Sequence, residues 1–180
     1  MITNWQKSFQ LMLKSEGGFS DNFADNGNWL PDGRKGCTNL GVTQTTWESW
    51  VGRKSDEKEM RGLTPEKVAP LYKRKFWDAC HCDDLPQGVD YLVFDFAVNA
   101  GVGRSAKTLQ SAVGATVDGS IGSLTLAAVK NTPDLIDKFS QAKIDFYKSL
   151  HNQTYEKGWL NRVEWVKADA KEMALDLANR

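Results

Sequence analysis

Glu16 stands in the stretch Lys14-Ser15-Glu16-Gly17-Gly18-Phe19, where an apolar helical pattern stops. Trp5, Phe9, Met12 and Glu16 follow one another at spacings of four, three and four residues, which is one face of a helix, so Glu16 continues an apolar stripe. A carboxyl group in that register is either a last-turn residue that swings out to water or a group held for chemistry. Burial on an apolar face and the negative end of a helix dipole both disfavour its ionised form, and a carboxyl that keeps its proton can act as a general acid. Asp25 follows after eight intervening residues and Thr38 after twelve more, in "CTNLGVTQ", with Asn39 and Thr43 close behind. Acid hydrolysis of a glycosidic bond needs a proton donor to the leaving oxygen and, for inversion, a second group holding water on the opposite sugar face. Each residue has a plainer reading as well: Asp25 in "ADNGN" suits a turn that caps backbone N–H groups, and Thr38 and Asn39 suit loop hydrogen bonding.

The segments that must position these residues read as helix almost throughout, because apolar residues recur at three and four and extended alternation is scarce. The expected class is all-α or mainly α. A first helix is expected over about 3–16, closed at Gly17-Gly18 by a left-handed residue. The stretch "FSDNFADNGNWLPDGRKGCTNLGVTQ" is too long for an idle connection; Trp29, Leu30 and Val42 give it something to pack with, and Pro31-Asp32-Gly33 suits a short β-hairpin. Another helix is expected from about Thr43, carrying Trp47 and Trp50 before Gly52. "LTPEKVAPLYKRKFWDAC" opens with a Thr64 cap, Pro65 at the first helical position and Glu66 at the positive end of the dipole. Residues 88–101 are apolar nearly all round, which marks the central buried helix, with Asn99 near its end, where an asparagine usually caps. From about residue 102 the character changes: "VDGSIGSLTLAAV" reads as a turn plus helix, followed by amphipathic helices over about 132–151 and 157–178. The expected organisation is therefore a region 1–101 and a helical region 102–180.

In a chain of 180 residues, 23 basic side chains balance 23 acidic ones, so no global field attracts nucleic acid, a membrane or an anionic polymer. The one basic stretch, Arg53 to Lys75, carries eight Lys/Arg against four acids and reads as a solvated helix face. Cys37, Cys80 and Cys82 have no paired metal-ligand spacing, and "CHC" around His81 crowds its ligands too closely to wrap one ion, so no metal is expected. Free thiols fit synthesis in a reducing compartment, while a bridge from Cys37 to one of the other two stays open. No apolar run approaches the roughly 20 residues of a spanning helix, and the N-terminus shows no secretory leader, so a cytoplasmic site of synthesis is expected.

The stretches "KSEGGFSDNFADNG", "CTNLGVTQTTW", "LYKRKFWDACHCDDLPQGVD", "VFDFAVNAGVGRSAKTLQSAVG", "VDGSIGSLT" and "KGWLNRV" follow, in order, the pattern of the glycoside hydrolase family 108 muramidases, which include phage and prophage endolysins and secretion activator proteins. The resemblance runs from about residue 5 to residue 166. It implies a lysozyme-like fold and maps the family's catalytic Glu-Gly-Gly glutamate onto Glu16. It maps the family's acidic loop onto Asp21 and Asp25, its T-N-x-G-(I/V)-T segment onto Thr38, Asn39, Gly41 and Thr43, and its F-D-x-A-V-N-x-G stretch onto Phe94, Asp95, Ala97, Val98, Asn99 and Gly101. The later part resembles a small peptidoglycan-binding-type region, with Asp118, Gly119, Ile121, Gly122 and Thr125 at matching positions. Two departures stand out: "NWLPDGRKG" lengthens the loop before Thr38, and Asn22 replaces the proline after Asp21.

The implied activity is hydrolysis of the β-1,4 bond between N-acetylmuramic acid and N-acetylglucosamine in peptidoglycan, with Glu16 as acid and Asp25, aided by Thr38, holding water. Carboxyl groups roughly 6.5–9.5 Å apart would imply inversion, and roughly 5 Å retention. Asn39, Thr43, Gln44 and Asn99 are expected to bind the sugar, and Trp29 is a candidate to stack on it. No cofactor is implied, the partner is the glycan strand, and a monomer is expected. The resemblance also implies an endolysin that waits in the cytoplasm for a holin to open the membrane and then acts in the cell wall. Two rivals remain: a lytic transglycosylase, which needs the acid but leaves an anhydro product, and a non-catalytic wall-binding or secretion-accessory module.

Overall fold

The computed structural model describes residues 4–22, 24 and 28–178, with the side chains of 177 and 178 left aside. Among these residues there are nine α-helices: α1 (Asn4–Ser15), α2 (Gln44–Val51), α3 (Glu57–Arg61), α4 (Pro65–Tyr72), α5 (Val89–Ala100), α6 (Val102–Val113), α7 (Ser123–Lys130), α8 (Leu135–Ser149) and α9 (Gln153–Ala178). One antiparallel pair, β1 (Thr38–Asn39) with β2 (Val42–Thr43), sets Thr38 opposite Thr43 and Asn39 opposite Val42. The mainly α class follows. No helix among the described residues is long and apolar enough to cross a membrane.

The chain packs as two units, residues 9–74 and residues 1–8 with 75–180. In the first, local signals set most boundaries. The Thr43 hydroxyl caps α2 at the Thr46 N–H, Asp56 caps α3 at the Glu59 N–H, and Thr64 caps α4 at the Lys67 N–H, with Pro65 at the first turn. Phe9, Met12, Leu30, Val42, Trp47, Met60, Val68, Leu71 and Tyr72 form its buried apolar interior. The end of α1 differs from the sequence expectation. Neither Gly17 nor Gly18 is left-handed, because the chain leaves the helix in an extended direction and Ser20 pairs with Thr38 through two 2.8 Å backbone hydrogen bonds.

In the second unit α5 is the central buried helix, packed by α6, α8 and α9. Phe96 meets Phe139, Phe146 and Tyr147 edge-on, and Trp5 meets Trp77 and Phe94 in the same way. Gly88 begins α5 at φ +89°, with the place of a β-carbon taken by the Ala170 carbonyl of α9. Gly101 and Gly103 leave almost no gap: α6 starts at Val102, directly after α5. Buried among these helices, the Asp95 carboxylate accepts hydrogen bonds from Lys143 of α8 at 2.7 Å and Arg162 of α9 at 2.8 Å. Burial would raise its pKa, but the two cations outweigh that and hold it below the usual carboxylate range. All three cysteines are free and buried, so the bridge from Cys37 is absent.

Candidate active site

Glu16 is the first residue past α1, its N–H bonded to the Leu13 carbonyl at 3.1 Å, and it is half-buried. Its place is set by the turn of the β1–β2 hairpin. Gly41, at φ +74°, brings bare backbone against the carboxylate: a β-carbon there would lie 2.7 Å from Glu16 Oε2 and 2.6 Å from the Tyr72 hydroxyl. Only glycine combines that left-handed conformation with so close an approach. Tyr72, buried in α4 and tilted against Phe9, donates its hydroxyl to the Leu40 carbonyl at 2.9 Å. The glutamate, the hairpin turn and the phenol thus converge on one point from three separate stretches of chain. The Glu16 side chain is packed on one side by the hairpin turn and stays partly open to solvent, which suits a carboxyl that gives up and regains a proton.

Thr38 lies on β1, and its hydroxyl donates to the Asn28 Oδ1 at 2.7 Å. Asn28 is in turn held by donating to the Asn22 carbonyl at 2.9 Å. Asn39 is 7 % exposed and donates to the Met60 carbonyl at 2.9 Å, tying β1 to α3. Gln44 is 4 % exposed; its amide donates to the Ser55 carbonyl at 2.7 Å and to Glu48, and its oxygen accepts from the Cys37 thiol. The Thr43 hydroxyl is occupied in capping α2. Asn99 belongs to the other unit, where it is exposed and donates to the Asp95 carbonyl one turn back, at 2.6 Å. Asp25 lies outside the described residues. Asp21 is exposed, 3.9 Å from Arg61, whose guanidinium also covers the Phe19 ring.

The lengthened stretch 28–36 folds into a closed hairpin whose turn runs through Pro31-Asp32-Gly33, as the residue types suggest. Arg34 fastens it: the guanidinium donates to Asp32 at 2.7 Å and to both oxygens of Glu48 on α2, at 3.2 and 2.8 Å. Those bonds from Arg34 hold the Glu48 carboxyl down at about 2, and Asp32, which also meets Lys54 at 3.2 Å, at about 2 as well. Tyr72 and Asn28 are the residues that sequence reasoning missed. Tyr72 reads as one more apolar position of an amphipathic helix, and Asn28 as a loop residue. Among the described residues no cluster of His, Cys, Asp or Glu has the arrangement of a metal site.

The pattern of the family described as Glycosyl hydrolase 108 matches residues 9–101, and that described as Predicted Peptidoglycan domain matches residues 104–164. Among solved structures, that of Brucella abortus SagA is similar at 35 % sequence identity and a TM-score of 0.80, over 94 % of this chain and 95 % of that one. No curated protein matches. With the Glu-Gly-Gly glutamate seated on a glycine turn and more than half of the chain inside the family's pattern, the protein belongs to the glycosyl hydrolase 108 family, glycoside hydrolases of peptidoglycan.

Proposed function

We propose that the protein is an N-acetylmuramidase that hydrolyses the β-1,4 bond between N-acetylmuramic acid and N-acetylglucosamine, with Glu16 as the general acid. One observation carries this reading: the Glu16 carboxylate packs on the Gly41 turn beside the Tyr72 hydroxyl while remaining half open to solvent. In the proposed reaction the Glu16 carboxyl gives its proton to the glycosidic oxygen as the C1–O bond breaks and positive charge builds on the sugar. Water then adds to C1 and yields a reducing N-acetylmuramic end. Asp25 takes the proton of that water, and the Thr38 hydroxyl, which Asn28 fixes, is assigned to aid it.

The hydrogen bonds of Asn39, Thr43 and Gln44 favour a supporting part in the same proposal. They hold the hairpin that carries Gly41 and Thr38, and sugar contact falls to the more exposed groups around them. We assign the chain the role of an endolysin made in the cytoplasm and released to the wall, a setting with which its three free thiols agree.

The test is mass spectrometry of soluble products from purified peptidoglycan treated with the parent and with Glu16→Gln. Reducing N-acetylmuramic ends are expected from the parent, with a fall of roughly 10²–10⁴-fold in the variant. Anhydro ends would make the enzyme a transglycosylase, and undiminished hydrolysis by Glu16→Gln would remove Glu16 from the chemistry.

A further inference from the structure

The lengthened hairpin 28–36 is built to present one side chain. Its backbone closes on itself through Leu30 N–H to the Arg34 carbonyl (3.0 Å), Gly33 N–H to the Leu30 carbonyl (2.9 Å) and Gly36 N–H to the Asn28 carbonyl (2.7 Å). The Arg34 ion pairs then fix it to α2. Leu30 packs inward at 5 % exposure and Asn28 at 1 %, while Trp29 between them is 44 % exposed. Among the described residues of 9–74, Trp29 is the one large hydrophobic side chain left exposed. Leu30 supplies packing on the inner side of the hairpin. Its neighbour Asn28 is the residue that holds the Thr38 hydroxyl, and Thr38 sits on the strand leading to the Gly41 turn against Glu16.

We propose that Trp29 is a stacking platform for an N-acetylhexosamine ring of the glycan strand, a binding position that the 28–36 hairpin adds on the unit that carries Glu16. The indole offers a flat apolar face with an N–H at its edge, and a pyranose offers a face of C–H groups rimmed by hydroxyls, so the two match in shape and polarity. A rigid mount matters, because a platform ordered only on binding loses part of the gain to entropy. This inference rests on the proposed hydrolysis of glycan strands and names where the strand lies.

Three measurements separate the inference from that reading. In kinetics on peptide-stripped glycan strands, Trp29→Ala should raise KM about five- to tenfold with kcat within about twofold of the parent, and Trp29→Phe should restore most of the binding. In calorimetry, Glu16→Gln should bind the strands and Glu16→Gln with Trp29→Ala should bind them about five- to tenfold more weakly. Hydroxyl-radical footprinting of Glu16→Gln needs no change at position 29 and should show Trp29 protected at saturating strand. An unchanged KM for folded Trp29→Ala, or unchanged oxidation of Trp29 at saturation, would overturn the platform while leaving the Glu16 chemistry intact. Failure of Glu16→Gln with its native Trp29 to bind strands at all would overturn both.

Discussion

Gly41→Ala is the sharpest test of how the site is assembled, because a glycine of nearly the same backbone conformation serves as its control. Gly41 has φ +74° and Gly52, at the end of α2, has φ +72°. A β-carbon at either position meets the left-handed penalty of about 1–2 kcal/mol. At Gly52 it meets no atom within 4 Å, whereas at Gly41 it falls 2.6 Å from the Tyr72 hydroxyl and 2.7 Å from Glu16 Oε2. Tyr72 and Glu16 must then move, and the 2.9 Å bond from the Tyr72 hydroxyl to the Leu40 carbonyl is lost or stretched, at about 1 kcal/mol. Gly41→Ala should therefore lose about 2–3 kcal/mol of stability and Gly52→Ala about 1–2 kcal/mol. Activity should separate them further: moving an acid by about 1 Å costs roughly 10²-fold, so kcat/KM should collapse in Gly41→Ala and hold in Gly52→Ala. Urea denaturation and release of reducing ends measure the two quantities. If Gly41→Ala keeps kcat/KM within about threefold of the parent, the Gly41 turn does not position the acid.

The Asp95 cluster and Asp90 give two predictions about stability. Asp95→Ala strands the 1 % exposed Lys143 ammonium and should cost about 3–5 kcal/mol in urea denaturation, whereas Asp95→Leu with Lys143→Met should cost clearly less; equal losses would show that the charges are not coupled. Asp90, which accepts from Asn4, from the Gly88 N–H and from the Tyr91 N–H, is pushed by burial from 3.8 up to about 6. A raised carboxyl stabilises the fold fully below its unfolded pKa, and that contribution is lost as pH rises from about 4 to about 6, by up to about 3 kcal/mol. Asp90→Asn should flatten the stability profile across that window while leaving the profile below about pH 4 nearly unchanged, and an identical slope in parent and variant would remove Asp90 as its source.

What could be read from the sequence was what depends on near neighbours along the chain. Thr43, Asp56 and Thr64 cap their helices through a donor three residues on, a relation present in any short window. The all-round apolar pattern of 88–101 foretold the buried α5, and Pro31-Asp32-Gly33 foretold a turn. Glu16 stood out because a charge broke an apolar register. The partners of these residues were hidden because each comes from a distant stretch: Tyr72 and Gly41 reach Glu16 across the sequence, and Asn28 reaches Thr38 from inside the added hairpin. Asp95 shows the same limit from the other side. A charge within an apolar helix marks a special position, but its type alone does not tell a catalytic carboxylate from one neutralised by Lys143 and Arg162.

The two carboxylates therefore divide by surroundings. Asp95 is wholly buried with a cation on each oxygen, which fixes it in the ionised form and leaves it no proton to give. Glu16 is half open, packed on a turn whose glycine cannot be replaced without moving it. An acid in glycoside hydrolysis must lose its proton to the leaving oxygen and recover it from water in every turnover, so it needs a position that is fixed and a surface that water reaches. Of the two, only Glu16 meets both conditions, and the residues that give it the first, Gly41 and Tyr72, contribute no chemistry of their own in this scheme. Their variants should lower kcat while leaving the shape of its pH profile unchanged, whereas loss of a second essential acid would remove a limb of that profile.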